Sequence, residues 1–467
     1  MYQNIKSCIV FDGIESPFFS CDIGVRQGEN LSPFLFALYL NDLESFFAEH
    51  NFTGLKSTRS MFEDHIGSYI KLFLLLYADD TVILAESSDD LQHALNIFSE
   101  YCKTWKLNVN ISKTKAVIFS KGSCKKCHLF KLDDEHIEVV KEYIYLGILF
   151  NNNGRFCKGI KRLHAQASRA MYAVLRKIRM LDMLLDCQLK MFDQIVQPIL
   201  LYASEVWGYE NTQLIERLHL KFCKYILKVK MTTPDYMVYG ELGRYPLDIS
   251  IKIRMLSHWC KMLVLPHKLS SKIYSLMYNL KSACPNYTFN LLSAIENILR
   301  DTGFYHVWMS QSIVSPNVLK TNVKRVLIDQ FYQSWNATAN ASSKGKYYIL
   351  YKEVPNLNPN LLELPPNLRI WYTRFRTANH RLPIETGRWT SIAVSDRKCT
   401  LCNDAVGDEY HFLLICSGLA TLRNKYLPRY FCNNPSLDKF ISIMKSHYKP
   451  LTLKLAKYIK EGLCLYK

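Results

Sequence analysis

Residues 71–86 read KLFLLLYADDTVILAE, an apolar run broken at its centre by two adjacent carboxylates, Asp79 and Asp80. Apolar stretches of strand length on either side of a short polar pair predict two strands joined by a tight turn, with the carboxylates at the tip. The surrounding pattern also mixes strands and helices. In CIVFDGIESPFF, Asp12-Gly13 lies between two strand-like runs, the signature of a primed hairpin turn, and Asp12 is read as a turn residue. In GVRQGENLSPFLFALYLNDLESFF, Ser32 is the expected N-cap and Pro33 the first helical residue, which predicts one helix reaching to about Phe47. Gly24 and Gly28 mark the loop feeding it. Leu91, Leu95, Phe98, Cys102 and Trp105 keep a helical period, and KAVIFSKG and YIYLGILF read as strands.

From about Lys158 the pattern changes. Leu163, Ala167, Ala170, Val174, Ile178 and Leu181 form one helical stripe, while Arg162, Arg169 and Arg176 recur every seven residues on another, an amphipathic helix with a basic ridge. Helical patterning continues through IERLHLKFCKYILKVK and DISIKIRMLSHWCKMLVL. A more polar zone over 311–360, ending in NLNPNLLELPPN, reads as a connector. The expected fold is therefore α+β: antiparallel strands plus helices over 1–150, a mainly α-helical 151–310, the connector, and a C-terminal region over 361–467. No internal repeat is visible.

With 467 residues, of which 49% are hydrophobic, the chain has material for two or three cores and is not a disordered protein. Its formal charge of +18 calls for a polyanionic partner. Nucleic acid fits better than a membrane surface, because the charge is spread through helical segments and not gathered beside an anchor. No apolar run reaches the roughly 18 residues that span a bilayer, and MYQNIKSCIVFDG is no signal peptide. The expectation is an intracellular protein of nucleus or cytoplasm, not secreted. Its 15 cysteines are then reduced thiols or metal ligands, and the glycosylation sequon at Asn336 carries no meaning.

One set of cysteines stands out. CTLCNDAVGDEYHFLLIC spells C-x2-C-x8-H-x4-C through Cys399, Cys402, His411 and Cys416. Three sulfurs and one imidazole suit a closed tetrahedral structural Zn²⁺ site; the competing account is chance clustering of core cysteines in a cysteine-rich chain. Cys124 and Cys127, followed by His128, have no fourth ligand at a familiar spacing and read as incidental thiols. Trp207, Phe222, Tyr225 and Trp259 lie among basic residues and offer stacking surfaces, but aromatic residues at helical spacing are for the most part core. The arginine ridge has its own plain alternative, a solvated face.

Two-metal phosphoryl transfer needs carboxylates on rigid strands that hold two Mg²⁺ about 3.5–4 Å apart. The hairpin tip offers that rigidity, although taken alone YADD serves equally well as a solvent-facing turn. Its company decides the reading. GVRQGENLSPFLF, YADDTVIL, LNVNISKTK and YLGILF, in that order, resemble the palm of reverse transcriptases, specifically those of non-LTR (LINE-type) retrotransposons. QPILLYASEVWG, VYGELGRYPL and the basic helices resemble the thumb and the segment after it, and TANHRLPIETGRW with the Cys/His cluster resembles the C-terminal region. The resemblance implies that Asp79 binds catalytic Mg²⁺ with Asp80 assisting, and that Tyr77 and Ala78 lie beside the primer terminus. It further implies that Gln27 and Gly28 contact template and incoming nucleotide, and that Lys113 lies near the nucleotide phosphates. The implied partners are an RNA template, an RNA–DNA hybrid and deoxynucleoside triphosphates; no membrane is implied.

One departure from the family pattern shapes the expectation. The family takes a further aspartate from a palm strand upstream of the GVRQG loop, and only 23 residues precede Gly24. Asp12, Glu15 and Asp22 do not sit in that strand context. Neighbouring residues on a strand point to opposite faces, so Asp79 and Asp80 do not complete a metal pair by themselves. The sequence thus reads as an N-terminally truncated copy without fingers or first catalytic aspartate, expected to be inactive alone. Two functions follow: a fragment of an RNA-directed DNA polymerase, or a catalytically inactive nucleic-acid-binding remnant.

Overall fold

The computed structural model describes residues 6–20, 28–52, 55–56, 71–72, 74–77, 80–120, 128–283 and 289–466. They divide into two compact units, one of residues 1–155 with 272–287, the other of 156–271 with 288–467.

The first unit opens with the expected hairpin. Val10–Phe11 pairs antiparallel with Ile14–Glu15, and Asp12 (φ 51°) and Gly13 (φ 79°) both take positive φ, as a type I′ turn requires. The single helix expected from Ser32 to about Phe47 is instead two, Ser32–Tyr39 and Leu43–Glu49. Ser32 is the first helical residue and not the cap, which is Leu31. The break falls at Asn41-Asp42, where the Asp42 carboxylate accepts a 2.6 Å hydrogen bond from the buried Tyr101 hydroxyl. Short polar side chains that find such partners favour helix ends over helix interiors.

Helix Ser88–Thr104 is capped by Ser87, whose hydroxyl accepts from Asp90 N. It packs between two clusters: Leu40, Leu43, Phe47 and Phe52 on one side, and Ala116, Phe130, Leu132 and Ile137 on the other. The second cluster is the face of a three-stranded sheet ordered Phe130–Leu132, Glu135–Val140, Lys115–Val117. Its first pair is antiparallel and its second parallel. A further hairpin, Glu142–Tyr145 with Ile148–Asn151, turns through Leu146 and Gly147, both at positive φ.

The second unit is helical and surrounds one large core. Helix Cys157–Met180 buries Leu163, Ala167, Met171, Val174 and Ile178 against helix Gln213–Leu227. The zone read as a connector contains a 26-residue helix, Pro316–Ala341, that buries Leu319, Val323, Leu327, Trp335 and Ala339. Its polarity misleads because the buried stripe is thin and most of the helix faces solvent. Distant segments are tied by a fully buried ion pair: the Arg376 guanidinium donates to both Glu241 oxygens at 2.9–3.1 Å and to the Met444 carbonyl at 2.8 Å.

A second polar knot bears a testable pH dependence. Glu216 accepts from the Tyr239 hydroxyl and Leu247 N, both at 2.6 Å, and lies 2.8 Å from His219 Nδ1. Burial raises this carboxyl, but these bonds outweigh it and hold it below its ordinary value. A lowered folded-state value means that the stabilisation is present above the unfolded value and lost as pH falls. The wild-type stability should therefore drop more steeply than that of Glu216→Gln as pH falls below about 4.5, the ordinary carboxyl value. Glu216→Ala should cost about 3 kcal/mol near neutrality by stranding buried donors. Denaturant titrations at a series of pH values measure both; parallel acid limbs would refute the assignment.

Candidate functional site

The carboxylate hairpin forms as expected. Leu74–Tyr77 pairs antiparallel with Asp80–Ile83 in a register that sets Tyr77 opposite Asp80. Ala78 and Asp79, like Gln27, fall outside the described residues, whereas Asp80 opens the second strand and is exposed. Two other motifs come to the same neighbourhood. Tyr145, in the YIYLGILF hairpin, has its phenol raised by burial and, secondarily, by the negative charge of Asp80. Tyr143, two residues earlier, donates through its hydroxyl to the Lys113 carbonyl at 3.3 Å.

Lys113 sits on a turn organised by Asn110, whose side-chain oxygen accepts from Lys113 N and the Ser112 hydroxyl, and its own side chain is exposed. One hairpin thus touches both the lysine turn and the field of the aspartate. Gly28 has φ +87°, and a Cβ there would meet open space, so what it contributes is backbone conformation.

In the helical unit, Arg169 and Arg176 are exposed and Arg162 is half-buried, on the side of helix Cys157–Met180 away from its core stripe. Trp207, Phe222 and Trp259 are core residues, 1% exposed or less; Tyr225 stays half-exposed.

Cys399, Cys402, His411 and Cys416 converge so that their ligand atoms lie within 4.8 Å of one another. Cys399 Sγ and Cys416 Sγ are 3.7 Å apart, and Cys402 Sγ is 3.3 Å from His411 Nε2. Tetrahedral ligands at Zn–S distances of about 2.3 Å have edges near 3.8 Å, so the spacing suits that ion. The first two cysteines flank a tight knuckle: Cys399 N donates to Ala405 O, Asn403 N to Cys399 O, and Asn403 takes φ 59°.

The other two residues of the cluster depend on a turn that the sequence did not reveal. His411–Ile415 is π-helical, closed by Cys416 N on His411 O at 2.8 Å. On an α-helix, residues five apart point about 140° away from each other; the wider turn brings His411 and Cys416 round to one side. Tyr466 was also missed, because nothing in the spacing singles it out: its hydroxyl lies 2.9 Å from Cys399 Sγ. Arg423 donates to the Cys416 carbonyl at 2.7 Å. Burial raises the Cys399 thiol, but hydrogen bonds led by Tyr466 outweigh it and hold the group below its ordinary value. Cys416 is pushed up to about 12, chiefly by burial. Among the described residues no partner meets His411 Nδ1, so the cluster supplies the ring's polar contact. Cys124 and Cys127 lie outside the described residues; His128 stacks on Phe130.

Residues 2–150 match the family of reverse transcriptases (RNA-dependent DNA polymerases). The chain is 25% identical over 248 residues to the RNA-directed DNA polymerase from mobile element jockey of Drosophila funebris, covering 50% of this chain and 25% of that protein. Its counterpart in Drosophila melanogaster is 25% identical over 245 residues, 50% of this chain and 24% of that protein. A transposon-derived protein of Caenorhabditis elegans is 29% identical over 188 residues, 38% of this chain and 64% of its own length. The chain therefore spans about a quarter of the length of the jockey polymerases it matches. Among the described residues no helix is long and apolar enough to cross a membrane.

Proposed function

We propose that the chain supplies palm, thumb and C-terminal parts of an RNA-directed DNA polymerase of a non-LTR retrotransposon. The observation that carries this reading is that the YIYLGILF hairpin bonds the Lys113 turn through Tyr143 and lies within the electrostatic reach of Asp80, all in one unit. Asp79 and Asp80 hold Mg²⁺, which supplies Lewis-acid stabilisation of the transferring phosphoryl group. Lys113 lies near the nucleotide phosphates, Tyr77 and Ala78 beside the primer terminus, and Gln27 and Gly28 against template and nucleotide. Arg162, Arg169 and Arg176 track the phosphates of an RNA template or RNA–DNA hybrid. The Cys/His cluster is a zinc knuckle; its donor set and spacing fit that ion, and Tyr466 and Arg423 orient two of the ligands.

Joined downstream of the fingers and first palm strand of a jockey-type polymerase, the chain should extend a primer on an RNA template with Mg²⁺ and deoxynucleoside triphosphates. A joined polypeptide that folds and binds template without extending the primer would favour a catalytically inactive, nucleic-acid-binding role.

The arginine ridge is tested separately. Each phosphate contact contributes about 0.7–0.9 to the log–log dependence of affinity on salt. Replacing Arg162, Arg169 and Arg176 with alanine should flatten that slope by about 2 for an RNA–DNA hybrid. An unchanged slope returns the ridge to a solvated face.

A further inference from the structure

On helix Cys157–Met180 and helix Gln213–Leu227, cations and aromatic rings meet in pairs. Lys221 Nζ lies over the Tyr172 ring, 5.2 Å from its centroid and 2.6 Å from its hydroxyl. Arg179 lies over the Tyr225 ring at 5.2 Å and donates to its hydroxyl, and Lys228 Nζ lies over the same ring at 4.1 Å. Tyr172 and Arg179 are seven residues apart on one helix, and Lys221, Tyr225 and Lys228 follow at four and seven on the other. Each set therefore shares one helical side. Both sets ascend in the same direction, so the pairs succeed one another along the helices.

The series continues past the helix end. Lys230 Nζ lies 4.6 Å from the centre of the Trp389 ring. The turn that carries Lys228 and Lys230 is pinned to the 374–379 segment: the Lys228 carbonyl accepts from Arg374 Nε at 2.9 Å, and Lys230 N and the Thr233 hydroxyl donate to Asn379 Oδ1. Trp389 is 67% exposed and Tyr172 51%. Lys344, Lys224 and Arg388 also lie at this end, the last two paired with Asp235 and Glu385. Burial depresses the half-buried Lys344, Arg388, Lys230 and Lys224 push the same way, and Glu385 opposes them. Among the described residues no carboxylate pairs with Arg179, Lys221, Lys228 or Lys230.

We propose that the rings of Tyr172, Tyr225 and Trp389, with the cations seated on them, form a track that binds single-stranded nucleic acid. Tyr172 and Tyr225 on helices, and Trp389 in the turn after helix Pro383–Thr386, offer ring faces that only unpaired bases can use, and a cation at each ring meets the phosphate that accompanies each base. A duplex keeps its base faces covered and would use the cations alone. The track rests on the reading of this body as a nucleic-acid binder, but it calls on residues other than the arginine ridge and runs toward the segment that carries the Cys/His cluster.

The test uses the full chain and a single-stranded 20-nucleotide RNA carrying 5-iodouridine. Irradiation should crosslink the RNA to peptides containing Trp389 or Tyr172. In fluorescence anisotropy, Trp389→Ala and Tyr172→Ala should each weaken binding about 5- to 150-fold and leave the salt slope unchanged, since no charge is lost; Trp389→Phe should retain most of the affinity. Replacing Arg162, Arg169 and Arg176 with alanine should instead flatten the slope and keep the crosslinks, which separates failure of the ridge from failure of the track. Both aromatic positions are exposed, and unchanged melting curves will show that the variants fold. Wild-type affinity in the Trp389→Ala, Tyr172→Ala double variant would overturn the proposal. So would crosslinks confined to other segments, or Trp389-dependent binding to phosphatidylserine vesicles without binding to the RNA.

Discussion

Asp79→Ala, made in the chain joined to the fingers and first palm strand of a jockey-type polymerase, should lower primer extension by about 10³-fold or more. Two Mg²⁺ ions that grip the attacking and leaving oxygens contribute several kcal/mol to the transition state, and every 1.36 kcal/mol lost is a tenfold loss of rate. A carboxylate that holds the metals carries that whole contribution, because alanine supplies no ligand in its place. Asp80→Asn should cost less, since the proposed role of Asp80 is to assist and its side chain is exposed in the strand that follows the turn. The loss should fall on kcat with template binding unchanged, because the basic helices proposed to bind nucleic acid belong to the other unit. Single-turnover extension with a labelled primer measures it. Extension indifferent to Asp79→Ala would show that the hairpin is not the metal site.

Removal of metal from the Cys/His cluster has the next largest expected effect. Cys399, Cys416 and His411 are buried, and Cys399 and Cys416 belong to the same core as Phe412, Leu413 and Tyr458. Without an ion, the thiols and the imidazole lie inside that core with few polar partners. Chelation or Cys402→Ser should therefore cost at least about 3 kcal/mol, a modest part of the roughly 10–16 kcal/mol that zinc gives isolated zinc-finger peptides. The loss appears as a lower melting temperature and as proteolysis between residues 390 and 420. Cobalt should give thiolate-to-metal absorption in the wild type and lose it in Cys402→Ser. A melting curve indifferent to exhaustive chelation would refute a structural ion.

How much of this was readable beforehand differs from place to place, for physical reasons. The turn at Asp12-Gly13 was legible because only a few residues accept positive φ in succession. The Tyr77–Asp80 pairing was legible because strand polarity changes abruptly at the tip. The convergence of Cys399, Cys402, His411 and Cys416 was legible because thiols and imidazoles are scarce residue types, and few other combinations of them in the chain come so close in sequence. The break in the helix after Tyr39 was not, since it depends on Tyr101, 59 residues beyond Asp42. Nor was the burial of helix Pro316–Ala341, whose five core residues are diluted among polar ones.

By itself, the sequence determined the local chemistry of this protein: the strand–carboxylate–strand hairpin, the basic helix with its apolar stripe, the Cys3His set and the order in which they occur. These follow from short-range propensity, side-chain period and residue type, all of which act within a turn or two of the chain. Only the tertiary structure decided which of them meet. It set the YIYLGILF hairpin against the Lys113 turn and within the field of Asp80, turned His411 and Cys416 to one side through a π-helical turn, brought Tyr466 onto Cys399, and seated Lys230 on Trp389 from 159 residues away. Such encounters are settled by which surfaces bury together and which buried polar groups find partners, a competition among all segments at once that no local window of sequence records.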